Sequence, residues 1–435
     1  MMRVDPCAFR RSVRDLFGFL FLLECFALSP ALAFQDPVRA PTQERATEPV
    51  PVPQADQATI RHYRSGMIAW GSRMVLALAV PLAVMALGIL PAVKRRLAGL
   101  HWSVQASALA SVYAAMALAA VFPIAFYDEY VRGRAAGLTS RTIPSWALEW
   151  AIRAGLTFAF IAVVAPLGYL LIRKLPRSWW LWGGLSGGAL GILIGVVFPV
   201  WIAPLLNRFE PMPDSALRTD ILDVAARAGV DSPSLFVVEM RGKTEMVNAY
   251  VAGFGGTRRI VFWDTLLDAL NPAELRFVAA HELAHDVLHH RWRLVVVGTV
   301  LLVLSLAIVH LAAVAILRRM RPATAADLRD PADLPVLVLA STLVGFVISP
   351  IALATNRSIE READRFALEL TRDNHAAATT WLTLQGHNLT HPDPGPIYRL
   401  FRATHPPLAD RVQFADRYRP WERGEPMVYG DYLRE

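Results

Sequence analysis

The sequence predicts a mainly α-helical protein, a polytopic membrane helix bundle interrupted by a small α/β insert. Three observations carry this reading. Hydrophobic residues make up 54% of the 435-residue chain and charged residues 19%, whereas soluble domains carry about 25% charged residues. Six apolar runs reach the length of about 20 residues that crosses a bilayer. They lie near 73–93, 103–127, 148–172, 179–205, 292–317 and 334–355. Between the fourth and fifth runs, a polar stretch over 206–291 changes to short β-like segments separated by turn residues. The mean hydropathy of +0.35 agrees with several spans plus a moderate polar part.

At the N-terminus, residues 1–33 have the pattern of a targeting segment. Arg10, Arg11 and Arg14 precede an apolar stretch from Leu16 to Leu32 that ends in Ala31-Leu32-Ala33, a small-x-small cleavage pattern. Glu24 inside the stretch is atypical, so a retained first span is the alternative. Residues 34–66 are read as a Pro-rich linker, their segment 36–57 being too polar to bury a core. Four spans over 67–205 follow, then the insert, then two spans over 292–355 and a polar tail over 356–435.

The net charge of +7 does not indicate nucleic acid. Arg and Lys sit mostly at the ends of apolar runs, where they anchor spans and set topology, and no basic stripe is interleaved with aromatics. The two cysteines, Cys7 and Cys25, lie near the N-terminus. The rest of the chain therefore has no disulfide framework, thiolate metal site or catalytic thiol. Any metal is left to His, Asp and Glu.

Within the insert, Asp214 is expected to cap a helix whose apolar face includes Leu217, Ile221 and Val224 and which ends at Gly229. Three strand-like runs follow: LFVVEM at 235–240, MVNAYVAG at 246–253 and RIVFWD at 259–264. The last two are joined by a hairpin loop at Phe254-Gly255-Gly256-Thr257. Asn271-Pro272-Ala273-Glu274 then starts a helix, with Asn as cap, Pro at the first position and Glu three after the cap.

That helix carries His281-Glu282-Leu283-Ala284-His285, the HEXXH pattern. Residues four apart project about 40° apart on a helix, so both imidazoles face one point. Glu282, offset by about 100°, is poorly placed as a ligand but can reach a water held there. Bound zinc brings the pKa of such a water to roughly 7, and Glu282 can accept its proton and pass it to a leaving amine. The bland reading is a surface His pair on an amphipathic helix. His289 and His290 extend the cluster as supporting or merely polar residues.

A catalytic zinc site needs a third protein ligand and an open position. The spacing that would continue along the same helix finds Leu288 and Arg291, so the third ligand comes from elsewhere. The best candidate follows the sixth span, in Ser358-Ile359-Glu360-Arg361-Glu362-Ala363-Asp364. Helical spacing places Glu360 and Asp364 on one face and projects Glu362 roughly opposite Glu360. Glu360 can bind the metal while Asp364 accepts a hydrogen bond from a ligand histidine. An ordinary charged surface helix is the alternative.

With these motifs in hand, the chain resembles the type I CAAX prenyl endopeptidases, integral-membrane zinc metalloproteases. AHELAHDVLHH is similar to that family's zinc helix, including His290 at its end, and IEREADRFA to its third-ligand motif. VNAYVAGFGGTRRIVFWDTLL resembles its substrate-side hairpin, WIAPLLNRFEPMPDSAL its passage from membrane to peptidase, and THPPLADRV its C-terminal motif. Together these cover roughly residues 80–418 in order. The resemblance implies a zincin-like peptidase insert and one zinc ion per chain held by His281, His285 and Glu360, with Glu282 catalytic and Asp364 as helper. It implies that Asn248, Ala249 and Tyr250 hold a peptide backbone beside an edge strand. His405 would donate to an oxyanion, and Arg411 and His290 would support the ligands. The family's spans ring a water-filled chamber, where polar groups at membrane depth are tolerated.

The charges at the span ends give a different side of the membrane from the family's cytosolic site. Lys94-Arg95-Arg96, Arg173-Lys174 and Arg318-Arg319 share one face. If that face is cytoplasmic, the insert and tail lie outside a bacterial cytoplasmic membrane. The expected partners are then membrane lipid and peptides or membrane-adjacent proteins, lipidated or not. Two other readings compete: an intramembrane protease of the site-2 type, which would place HEXXH inside a span and carry an LDG motif absent here, and a non-catalytic scaffold, which all four retained residues His281, Glu282, His285 and Glu360 disfavour.

Overall fold

A computed structural model of the chain describes residues 49–434, apart from 140, 198–200, 202, 204–206, 232, 242–243, 253–257 and 322–326. The targeting segment, the linker up to residue 48 and the expected loop at 254–257 lie outside the described residues.

Among the described residues, six helices are long and apolar enough to span a membrane. Helix α1 runs Gln57–Ala86 and is followed by the short α2, Ile89–Arg96. Helix α1 begins ten residues inside the expected linker, because Asp56 caps it by accepting from the Thr59 N–H. It ends at Leu87, before Gly88, whose φ of 62° takes the left-handed region. Helices α3 (Trp102–Phe126), α4 (Ile143–Lys174) and α5 (Trp179–Val197) complete the first four spans. The last two are α9 (His290–Met320) and α10 (Leu334–Thr371). The long helices contact one another in the cyclic order α1, α3, α4, α5, α9, α10 and back to α1.

The outer faces of this ring are apolar and exposed, as at Val75, Val163, Leu193, Val300 and Val347, which suits lipid contact. Between α5 and α9, contact is close. At Gly184 of α5 an added Cβ would stand 2.8 Å from Val303 Cα of α9, so only glycine allows these backbones to meet. Charges occur inside the bundle in pairs. A π turn at Tyr127–Val131 continues α3 and carries Glu129, which pairs with Arg153 at 2.6 Å, both nearly fully buried, and accepts from Trp146. Such intramembrane charges persist only when paired.

The insert is a four-stranded sheet with helices on it. Its strands are β1 (Phe209–Pro211), β2 (Ser234–Val238), β3 (Ala249–Ala252) and β4 (Arg259–Trp263), in the order β1-β2-β4-β3. The two expected hairpin strands β3 and β4 pair antiparallel, with Tyr250 opposite Val261. Strand β2 runs parallel to β4. Strand β1 was not expected from the sequence, being three residues long with an exposed, charged Glu210. Helix α6 (Ala216–Arg227) is capped by Ser215, whose Oγ accepts from the Arg218 N–H, and not by Asp214. Asp214 stays exposed and pairs with Arg218. The helix closes at Gly229 with φ 74°.

After a short α7 (Asp264–Ala269), α8 spans Pro272–Val287. Its start is a complete capping box: Asn271 accepts from the N–H groups of Ala273 and Glu274, and Glu274 accepts from the Asn271 N–H. Helix α8 stops at Leu288, and His289, in the left-handed region at φ 54°, turns the chain into α9. The tail adds α11 (Asn374–Asn388), α12 (Pro396–Phe401) and α13 (Leu408–Arg417). Insert and tail share one core that joins Ile221, Leu266, Phe277 and Leu283 to Phe366, Leu368 and Val412.

The sixth span and the following charged segment are one continuous 38-residue helix, α10, about 57 Å long at 1.5 Å per residue. Pro350 lies within it without ending it. The helix that leaves the membrane therefore enters the core shared by insert and tail directly and carries Glu360 and Asp364 with it.

Candidate active site

Helices α8 and α10 pack along each other, which brings the two acidic and histidine-rich faces together. His281 Nε2 stands 3.3 Å from His285 Nε2 and 3.4 Å from Glu360 Oε2. His285 Nε2 is 3.8 Å from Glu360 Oε1. One ligand atom from each residue lies within 4.8 Å of the other two. Two ligands about 2.0–2.1 Å from a tetrahedral ion stand about 3.3 Å apart, so the separations fit a single small cation. Glu360 Oε2 is buried without a hydrogen-bond donor, as expected of an oxygen whose partner is a metal. No thiolate is among these donors. Two imidazoles and a carboxylate are a set that zinc takes, although the donor set alone does not select it over other divalent metals.

The surrounding groups orient this cluster. His281 Nδ1 lies 3.0 Å from Asp364 Oδ1, within hydrogen-bond distance but off the ring N–H direction. Arg411 of α13 binds Asp364 at both carboxylate oxygens, at 2.8 and 2.5 Å. Its guanidinium lies 3.3 Å over the Trp381 ring of α11, and Trp381 also meets His281 in a T-shaped contact. His405, in the loop before α13, reaches Glu360 Oε2 at 3.3 Å. Its loop is tied to α10 by Asn356 donating to the Thr404 carbonyl at 2.7 Å and Arg357 donating to the Ala403 carbonyl at 2.8 Å. Neither tie has a signature in the sequence, because a polar pair next to a membrane span reads as ordinary solvated surface.

Glu282 stands outside the three-residue cluster and reaches β3, where it accepts from the Val251 N–H at 3.1 Å. This contact was not anticipated, since it depends on how the edge strand crosses α8. Asn248 O accepts from the Trp263 N–H, so alternate residues of β3 turn their backbone groups to β4. Ala249 and Val251 turn theirs to the open edge. The side chain of Ala249 is buried, whereas Asn248 and Tyr250 are half-buried.

Burial also sets the charge states. It pushes Glu282 up to about 7 and His285 down to about 3, leaving that imidazole neutral. For His281 burial opposes the charged form, but the adjacent Asp364 and Glu360 carboxylates outweigh it and raise the group to about 9. A cation seated in the cluster competes for these same nitrogens and displaces the proton.

Residues 57–208 match the family model of the CAAX prenyl protease N-terminal part, described as five membrane helices. Residues 211–419 match that of peptidase family M48. The chain is 31% identical to the uncharacterised metalloprotease YhfN of Bacillus subtilis, over 64% of this chain and 66% of that protein. It is 28% identical to the CAAX prenyl protease 1 homolog of Arabidopsis thaliana, over 68% of this chain and 69% of that one. With CAAX prenyl protease 1 of Saccharomyces cerevisiae it shares 26% identity over 68% of each. The alignments thus span about two thirds of these relatives. In fold, it is similar to the crystal structure of S. mikatae Ste24p, with a TM-score of 0.72 at 19% identity, over 95% of this chain and 98% of that one. Membrane part and peptidase part both being matched, and a cluster suited to a metal standing where they meet, the chain belongs to peptidase family M48 and is a multi-pass membrane metalloprotease.

Proposed function

We propose that this metalloprotease is a zinc endopeptidase, with His281, His285 and Glu360 as ligands and Glu282 as the general base. The observation that carries the reading is the convergence of those three ligand atoms beside a buried carboxylate that lies outside the ligand set and faces an edge strand. Zinc held there would polarise a peptide carbonyl and activate water. Glu282, with its affinity for protons raised to about 7, is matched to taking a proton from that water and handing it to the leaving amine near neutral pH.

Substrate extends along β3 by strand addition, with Ala249 offering its outward N–H and C=O. The Asn248 and Tyr250 side chains flank the same edge. His405 donates to the oxyanion that develops at the attacked carbonyl. Asp364 and Arg411 hold His281 in place, and His290 supports His285. The substrate class is a peptide or membrane-adjacent protein, lipidated or not, and the names of the CAAX prenyl protease relatives support the lipidated form.

The active site faces the outside of a bacterial cytoplasmic membrane. Lys94, Arg173 and Arg318 lie at the ends of the bundle remote from α8, where Lys94 pairs with Asp330 at 2.7 Å, and such clusters favour the cytoplasmic side.

The test is hydrolysis of a quenched fluorescent peptide by detergent-purified protein. Wild type should cleave it and lose the activity to a zinc chelator. Glu282→Ala should retain one zinc per chain and show no cleavage. Cleavage by Glu282→Ala at the wild-type rate would overturn the assignment.

A further inference from the structure

The two ligand histidines are held differently. His281 presents Nδ1 to Asp364, and Arg411 grips that carboxylate. Among the described residues, no carboxylate pairs with His285 Nδ1. Its Nδ1 instead lies 3.1 Å from Nδ1 of His290, a residue with no exposed surface. The other nitrogen of His290, Nε2, is buried without a hydrogen bond and faces Glu362 Oε2 at 3.5 Å, the outer limit of hydrogen-bond distance. Arg293 then donates to both oxygens of Glu362, at 2.8 and 2.7 Å.

We infer that Arg293, Glu362 and His290 form a relay that fixes the tautomer and orientation of His285, the counterpart of the Asp364–Arg411 pair behind His281. This inference rests on the ligand assignment proposed above. The chemistry of imidazole determines the direction of the relay. If His285 turns Nε2 toward the cluster, its Nδ1 carries the proton and must donate. His290 Nδ1 is then the acceptor, which requires the proton of His290 to be on Nε2, facing Glu362. Glu362 remains a carboxylate because Arg293 binds it in the bidentate manner. Each histidine thus ends on a carboxylate clamped by an arginine, directly for His281 and through one intervening ring for His285.

The backbone makes this possible at one point. His289 adopts φ 54° between α8 and α9, and the break swings His290 back against the HEXXH helix. A continuous helix would place residue 290 about 140° around the axis from residue 285. Glu362 projects away from the ligand atoms, as the sequence spacing predicts. It is nevertheless a positioning residue, since the direction it faces is that of His290.

The test measures metal affinity by competition with a chromophoric chelator in detergent-purified protein, together with the visible spectrum of the cobalt-substituted form. Glu362→Gln and His290→Phe should each bind zinc about 10–100-fold more weakly than wild type and shift the cobalt spectrum, while still loading one metal per chain at saturation. His290→Gln offers an amide oxygen as acceptor and should recover most of the affinity, which a role in packing alone would not give. Thermal midpoints of the metal-free proteins report folding independently. Wild-type affinity and spectrum in folded Glu362→Gln and His290→Phe would overturn the relay and leave the ligand assignment intact. Stoichiometric zinc in His285→Ala would overturn the ligand assignment itself.

Discussion

Replacing Arg411 tests how the cluster of His281, His285 and Glu360 is held. Its guanidinium is 8% exposed and the Asp364 carboxylate 4%, so the variant Arg411→Leu would leave a buried carboxylate without its arginine, with only the His281 ring beside it. Breaking such a pair from one side costs about 3–5 kcal/mol. Loss of the stacked contact with Trp381, 3.3 Å from the ring centre, adds up to about 2 kcal/mol where the site is desolvated. Against a net stability of about 5–15 kcal/mol for a folded domain, this is a large fraction. Asp364→Leu should cost a comparable amount by stranding Arg411. The double variant removes both charges from the core, so its loss should fall short of the sum of the single losses by about 0.5–3 kcal/mol. The assay is unfolding of metal-stripped protein in detergent, because bound metal would otherwise add its own stabilisation. Strict additivity of the two single losses would refute the argument that this buried pair holds the cluster together.

Two further predictions follow from the geometry. Gly184→Val should lower the thermal midpoint through overpacking worth about 1–3 kcal/mol, because its Cβ would meet the Val303 backbone at 2.8 Å. Gly183→Ala, whose nearest neighbour stands at an ordinary 3.4 Å, should leave the midpoint unchanged, and equal effects of the two would argue against the close approach of α5 and α9. On the proposed mechanism, kcat/KM should fall as pH drops, because Glu282 must be unprotonated to act and burial raises it to about 7. A cation in the cluster lowers that value, so the acid limb should be centred at or below pH 7, and a limb centred well above 7 would exclude Glu282 as the group titrating.

Much was legible along the chain because the signals are local. Apolar runs of spanning length identify the membrane helices whatever their neighbours, since each must satisfy its backbone internally. Asn271, Pro272 and Glu274 mark the start of α8 because a capping box involves residues three apart. The pair His281 and His285 is bound to share a face for the same reason. Ser215 and not Asp214 caps α6 because adjacent residues offer the same chemistry, and only the backbone path chooses between them.

The remainder depended on contacts between distant segments. Strand β1 is too short to carry a pattern, and it forms because β2 has an edge to offer. Glu369 looks like one more charge on a polar helix, yet it is fully buried and accepts from the N–H groups of Val428 and Tyr429, tying down the tail.

The sequence by itself determined which residues can bind a metal and that the chain crosses the membrane, because residue chemistry and hydropathy are properties of short segments. Tertiary structure alone decided that α10 is unbroken and carries Glu360 to α8, that Val251 meets Glu282, and that Glu362 lies behind His290. Those outcomes depend on how helices and strands far apart in the chain cross one another, and the free energy of that packing is spread over the whole core rather than written at any one position.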